Sequence, residues 1–142
     1  MDESRFDPRI ALDGADRELI EAAREAILRH YRPFWHTIAA AMRGRDGRIW
    51  TGLHLGATVG RLSICAEAVA LGRAILDGGS DIVATVAIRH PKPEEPERDP
   101  AIVPPCGACL EMLTDHAPGA LVIVPGPGKL PVRALLPLPY RR

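Results

Sequence analysis

The chain has 142 residues, 46% of them hydrophobic and 25% charged, a composition that fits one ordinary globular domain with a sizeable core. Eighteen basic and eighteen acidic residues cancel to zero formal charge, without the basic excess that marks nucleic-acid binders. No apolar run approaches membrane-spanning length, Met1-Asp2-Glu3 does not open a secretion signal, and three cysteines argue for metal ligation in a reducing, cytoplasmic compartment over a disulfide framework.

In chain order, residues 1–13 are polar, contain Pro8 and read as a loose, flexible N-terminal arm. From Asp13 or Asp16 to about Tyr31 the pattern is helical. Leu19, Ala23, Ala26 or Ile27 and Tyr31 share one stripe, and Pro33 ends it. Trp35 to Met42 reads as a strand, Arg43 to Gly47 as a tight turn and Arg48 to Leu55 as its partner, with Asp46-Gly47 as the hairpin signal. A glycine-rich connection, Gly56 to Ser63, leads into a helical pattern that opens at Cys65 and stops at Gly78-Gly79. Ile82 to Ile88 is a β-branched run without polar alternation, which predicts a buried central strand. The segment Arg89 to Pro105 is rich in Pro, Glu, Lys and Arg and reads as a surface loop that cannot be a strand. A second helical pattern runs from Cys106 to about His116, Leu121 to Val124 reads as another buried strand, and a last turn or short helix falls near Val132 to Leu136. Helices that link strands twice in succession form βαβ units. A three-layer α/β sandwich around a mixed sheet is expected, with residues 1–142 as one domain.

Two short stretches carry chemistry. Cys65-Ala66-Glu67 and Pro105-Cys106-Gly107-Ala108-Cys109 each open one of the two later helical patterns. A helix start leaves N–H groups unpaired and carries positive dipole, so thiolates placed there are stabilised as anions. Three thiolates from two helix starts can make three corners of a tetrahedral zinc site. The fourth corner then stays open for water, which is the catalytic arrangement. Glu67 lies two residues past a ligand, within reach of that water. Any one of these cysteines alone would be an unremarkable buried thiol, and the alternative for the three together is a purely structural zinc knuckle or three unmetallated thiols.

In combination, Cys-x-Glu followed by Pro-Cys-x-x-Cys resembles the zinc-dependent cytidine deaminase superfamily. Cys rather than His before Ala66-Glu67 points to its small free-nucleoside type. Ile49-Trp50-Thr51-Gly52, Val69-Ala70-Leu71-Gly72, and Leu135-Leu136-Pro137 followed by Tyr140 are similar to the blasticidin S deaminase branch. The resemblance spans about residues 15 to 140. It implies a three-layer α/β/α sandwich around a mixed five-stranded sheet, and one Zn²⁺ per chain on Cys65, Cys106 and Cys109. It also implies Glu67 as proton shuttle in the hydrolytic release of ammonia from an aminopyrimidine, and a homotetramer. The implied substrate wall comprises Trp35, His36, His54, Ala66, Pro105 and Tyr140.

The chain also departs from that pattern. Relatives carry an Arg after the Glu of the first motif, or Arg-Gln after the second Cys pair, where this chain has Ala68 and Leu110-Glu111. Three thiolates and Zn²⁺ leave a net charge of −1, for helix dipoles, Arg61 or Arg73 to offset. The Asn-x-Glu that binds sugar hydroxyls in cytidine deaminases reads His54-Leu55-Gly56. His54 either bonds a ligand hydroxyl or carboxylate or acts as a local structural donor. Trp35 either packs on the pyrimidine or belongs to the core, and Tyr140 either reaches a neighbouring subunit's site or packs locally. Cytidine itself is less expected than a blasticidin-like nucleoside, another modified pyrimidine or a non-nucleoside amino-heterocycle. A non-catalytic zinc-binding or interaction protein on the same scaffold is the alternative. The expected partner is a small molecule, with no nucleic acid and no membrane.

Overall fold

The computed structural model describes residues 8–79, 81–126 and 128–141. Its first helix, α1 (Gly14–His30), is opened by a reciprocal cap. The Asp13 carboxylate accepts the Asp16 N–H, and the Asp16 carboxylate accepts the Asp13 N–H. Leu19, Ala23 and Ile27 form its buried stripe. Asp16 is itself fully buried, receives Lys129 Nζ at 2.6 Å and lies 3.6 Å from the Arg43 guanidinium. Breaking such a pair strands a buried charge, so Lys129→Met is expected to destabilise the fold by about 3–5 kcal/mol. A denaturant midpoint equal to wild type would show that the pair contributes nothing.

The expected loose arm is tied down over its described part. Ile10 and Lys129 exchange two backbone hydrogen bonds of 2.9 Å each, which ties the arm to the sheet at Ile10. The remainder of that arm, residues 1–7, lies outside the described residues.

The strands are β1 (Ile38–Gly44), β2 (Ile49–Leu53), β3 (Ile82–Arg89), β4 (Ala101–Val103), β5 (Leu121–Val124) and β6 (Gly128–Pro131). Five of them form one path in the order β2-β1-β3-β5-β6, and β4 pairs with β3 off that path. The β3–β5 pair is parallel and the others are antiparallel, which makes the sheet mixed. Side chains alternate across β1 and sort the layers. Ala39 and Ala41 face α1 with Ala84, Val86 and Ile88. Ala40 and Met42 face the opposite layer, made by α2 (Ala66–Leu76), α3 (Gly107–His116) and α4 (Val132–Leu135). The architecture is a three-layer α/β/α sandwich.

Two expectations need correction. The segment Arg89 to Pro105 does contain a strand, since Ala101, Ile102 and Val103 pair with Arg89, Ile88 and Ala87. Pro100 and Pro104 flank this strand without interrupting its ladder, and the charged residues before it hid its apolar run. Trp35 and His36 lie in a turn, not in the first strand. Trp35 and His36 donate to the Arg32 carbonyl, and Phe34 takes a left-handed φ of 71° at the turn's apex.

Gly52 sets how closely α2 approaches the sheet. A Cβ at this β2 position would overlap the Ala70 amide nitrogen and come within 2.7 Å of the Ala66 carbonyl oxygen. Gly52→Ala is therefore expected to push α2 outward and destabilise by about 1–3 kcal/mol. An unchanged melting temperature would show that the helix has room to spare.

Candidate active site

Cys65 caps the N-terminus of α2 and Cys106 caps that of α3, both with extended backbone. The two helices cover the same face of the sheet and their starts converge. Cys65, Cys106 and Cys109 place their sulfurs within 4.8 Å of one another, and the Cys65 and Cys106 sulfurs are 3.5 Å apart. Tetrahedral zinc–thiolate geometry, with Zn–S of about 2.3 Å, needs sulfurs about 3.8 Å apart. The donor set fits one ion of that size. Among the described residues, no fourth His, Cys, Asp or Glu joins the group.

Glu67 stands in the first turn of α2 and is only 5% exposed. Burial raises its pKa, and this outweighs the lowering influence of the Cys109 thiol and of its own backbone N–H. Burial also raises the Cys109 thiol, reinforced by Glu67, and raises Cys65 despite a stabilising contact with Cys109. Cys106 goes the other way. Burial acts to raise it, but the Cys109 N–H, 3.5 Å from its sulfur, together with both neighbouring thiols and the Ala108 N–H, holds it below the ordinary value.

Glu67, Cys65 and Cys106 line a cavity of about 190 Å³. Cys65, Ala66, Glu67 and Cys106 border it, Ile38 comes from β1, His54 follows β2, and Val103 and Pro104 come from β4 and its end. The structure thus brings together the three cysteines, Glu67, Ala66 and His54. Pro105 is not among the lining residues, and Pro104 takes that place. His36 stands behind His54, with Nδ1 2.9 Å from the His54 carbonyl oxygen. Trp35 packs edge-on against Phe34 and under the Arg32 guanidinium, outside the cavity. Tyr140 is 81% exposed, its N–H donates to the Glu111 carboxylate, and it does not line its own chain's cavity. Arg73 donates to the Thr51 carbonyl at 2.6 Å, and Arg61 is exposed in the short 3₁₀ turn Gly60–Leu62. Ile38, Val103 and Pro104 were missed from sequence. Val103-Pro104 directly precedes Pro105-Cys106, and that adjacency was the available signal.

No protein-family model matches the chain. It is 40% identical over 130 residues to blasticidin-S deaminase of Bacillus cereus, covering 89% of this chain and 93% of the relative. It is 31% identical over 105 residues to cytidine deaminase of Halalkalibacterium halodurans, covering 72% and 74%. The solved cytidine deaminase of Mycobacterium leprae superposes with a TM-score of 0.73 at 25% identity, over 89% of this chain and all of that one. The fold alone is shared with cytidine deaminase of Mycobacterium tuberculosis, with a TM-score of 0.75 at 23% identity over 92% and 100%. The chain belongs to the cytidine deaminase superfamily and is a hydrolytic deaminase. Within that superfamily it falls in the blasticidin S deaminase branch. No helix among the described residues is long and apolar enough to cross a membrane.

Proposed function

We propose that this chain is a zinc-dependent deaminase that hydrolyses the exocyclic C–N bond of a small aminopyrimidine, cytidine-like or blasticidin S-like, and releases ammonia. One observation carries this reading: three sulfurs lie within 4.8 Å of each other, and two of them, of Cys65 and Cys106, share a cavity with the buried carboxyl of Glu67. Cys65, Cys106 and Cys109 would hold the ion. When bound, zinc supplies a Lewis acid that lowers the pKa of water from about 15.7 toward about 7, an effect blunted by thiolate donors.

The remaining chemistry belongs to the chain. Glu67 is the proton shuttle. A carboxylate oxygen takes one proton from the attacking water and passes it to the ring nitrogen, then takes the second from the hydroxyl so formed on the ring carbon and passes it to the departing amine as the C–N bond breaks and the carbonyl forms. The raised pKa of Glu67 suits this task, because a stronger base accepts the proton more readily and still returns it near neutral pH. Ile38, Val103 and Pro104 give the ring apolar walls and limit competing water.

The test is an ammonia-release screen of zinc-loaded protein on cytidine, deoxycytidine, cytosine, blasticidin S and related amino-heterocycles. Ammonia from a pyrimidine supports the reading, and release only from non-pyrimidine rings contradicts it.

Zinc uptake is expected to be pH-dependent. Cys65 and Cys109 hold their protons above the ordinary thiol pKa, so an entering ion must displace them. Apparent affinity should rise with pH between 6 and 8, by about tenfold per pH unit for each proton displaced. A chelator competition with a flat pH profile would show that the thiols are not the ligands. Assembly as a homotetramer and cytoplasmic residence belong to the same proposal. Sedimentation equilibrium at the tetramer mass supports the first, and a monomer at working concentration contradicts it.

A further inference from the structure

A second cavity, of about 500 Å³, lies between the α1–β1 turn and the loop that joins β3 to β4. It shares no lining residue with the catalytic cavity. Its size falls in the range of roughly 300–1,000 Å³ typical of small-molecule sites.

Both walls are held in place by the chain itself. Arg89 clasps Glu95 through two bonds of 3.0 and 3.1 Å, and Arg98 donates to the Lys92 and Glu95 carbonyls at 2.9 and 3.0 Å. The His90 ring joins loop to turn by stacking on Tyr31, with centroids 3.6 Å apart, and its Nδ1 donates to the Pro91 carbonyl oxygen at 2.7 Å. A wall ordered before a ligand arrives lowers the ordering cost of binding.

Two features of this cavity serve no purpose in the fold. Phe34 is 58% exposed and is the one non-glycine residue at positive φ among the described residues. A bulky side chain in that conformation is an outlier of the sort that clusters at ligand clamps. The second feature is charge. Arg89 is spent on Glu95, whereas the exposed side chains of Lys92 and Glu94 make no hydrogen bond or ion pair among the described residues. Lys92 acts on Glu95 only through space. The cavity thus offers one unpaired ammonium, one unpaired carboxylate and an aromatic wall. Glu94 repels a simple anion and Lys92 a simple cation, so a molecule carrying both charges satisfies the pair.

We infer that this cavity is a second small-molecule site, separate from the catalytic one, for an aromatic zwitterion of the amino-acid class, whose carboxylate meets Lys92, whose ammonium meets Glu94 and whose ring packs on Phe34. The site does not depend on the deaminase reading.

Calorimetric titration of the zinc-loaded protein with phenylalanine, phenylpropionate, phenylethylamine and glycine tests it. Phenylalanine should bind once per chain with a Kd of about 1 mM or tighter. Removing its ammonium, its carboxylate or its ring should each weaken binding by about tenfold or more. Lys92→Met and Glu94→Gln change exposed loop residues and should leave the melting temperature unmoved. In Lys92→Met the advantage of phenylalanine over phenylethylamine should vanish, and in Glu94→Gln its advantage over phenylpropionate should vanish. The inference is overturned if phenylalanine shows no saturable binding up to about 10 mM, if the one-charge ligands bind as tightly, or if both variants keep the wild-type discrimination.

Discussion

Glu67→Gln is expected to give a folded protein that still takes up zinc but whose ammonia release falls by about 10²–10⁴-fold, the usual contribution of a positioned acid–base group. The amide keeps the shape of the carboxyl in a position that is only 5% exposed, yet it cannot accept the proton of water. The substitution should not weaken the fold. Burial raises the pKa of Glu67, so ionising it opposes folding above that value, and a neutral amide removes the opposition. The pH profile has a fixed sign. Wild-type kcat/KM should fall as pH drops through the Glu67 pKa, with an acid limb above the ordinary carboxylate value of 4.5. A Gln variant with full turnover would remove Glu67 from the mechanism.

Cys109→Ser should have the larger effect on metal content. Cys109 is 2% exposed, adjoins Glu67 and donates its backbone N–H to the Cys106 sulfur. Its loss removes a donor and also disturbs the two groups it touches. Zinc affinity should fall by more than the roughly 10–100-fold that loss of an outer-shell partner costs. Activity should follow zinc content across Ser variants of Cys65, Cys106 and Cys109. A Cys109→Ser protein that held one zinc per chain at wild-type affinity would exclude it as a ligand.

The readable parts of the site were those fixed by local rules. Cys65 and Cys106 fall at helix N-caps, and the spacing from Cys65 alone puts Glu67 in the first turn of α2. The helix pattern of Leu19, Ala23 and Ile27 and the Asp46-Gly47 turn were equally local. What escaped depends on tertiary partners. β4 forms because β3 offers an edge to Ala101-Ile102-Val103, and the charged and proline-rich residues around it gave the opposite signal. Trp35 looked like a strand residue until the Arg32–His36 turn, with Phe34 at positive φ, claimed it. The hydrogen-bonding character of His54 was illegible for the same reason, since Thr37, seventeen residues away, determines which ring nitrogen holds the proton.

X-ray absorption at the zinc edge, on protein loaded with one zinc per chain, tests the account most directly. It should give three sulfur neighbours at about 2.3 Å and one coordination position that no protein atom fills. Fewer than three sulfurs, or a closed shell of four protein ligands, would contradict it.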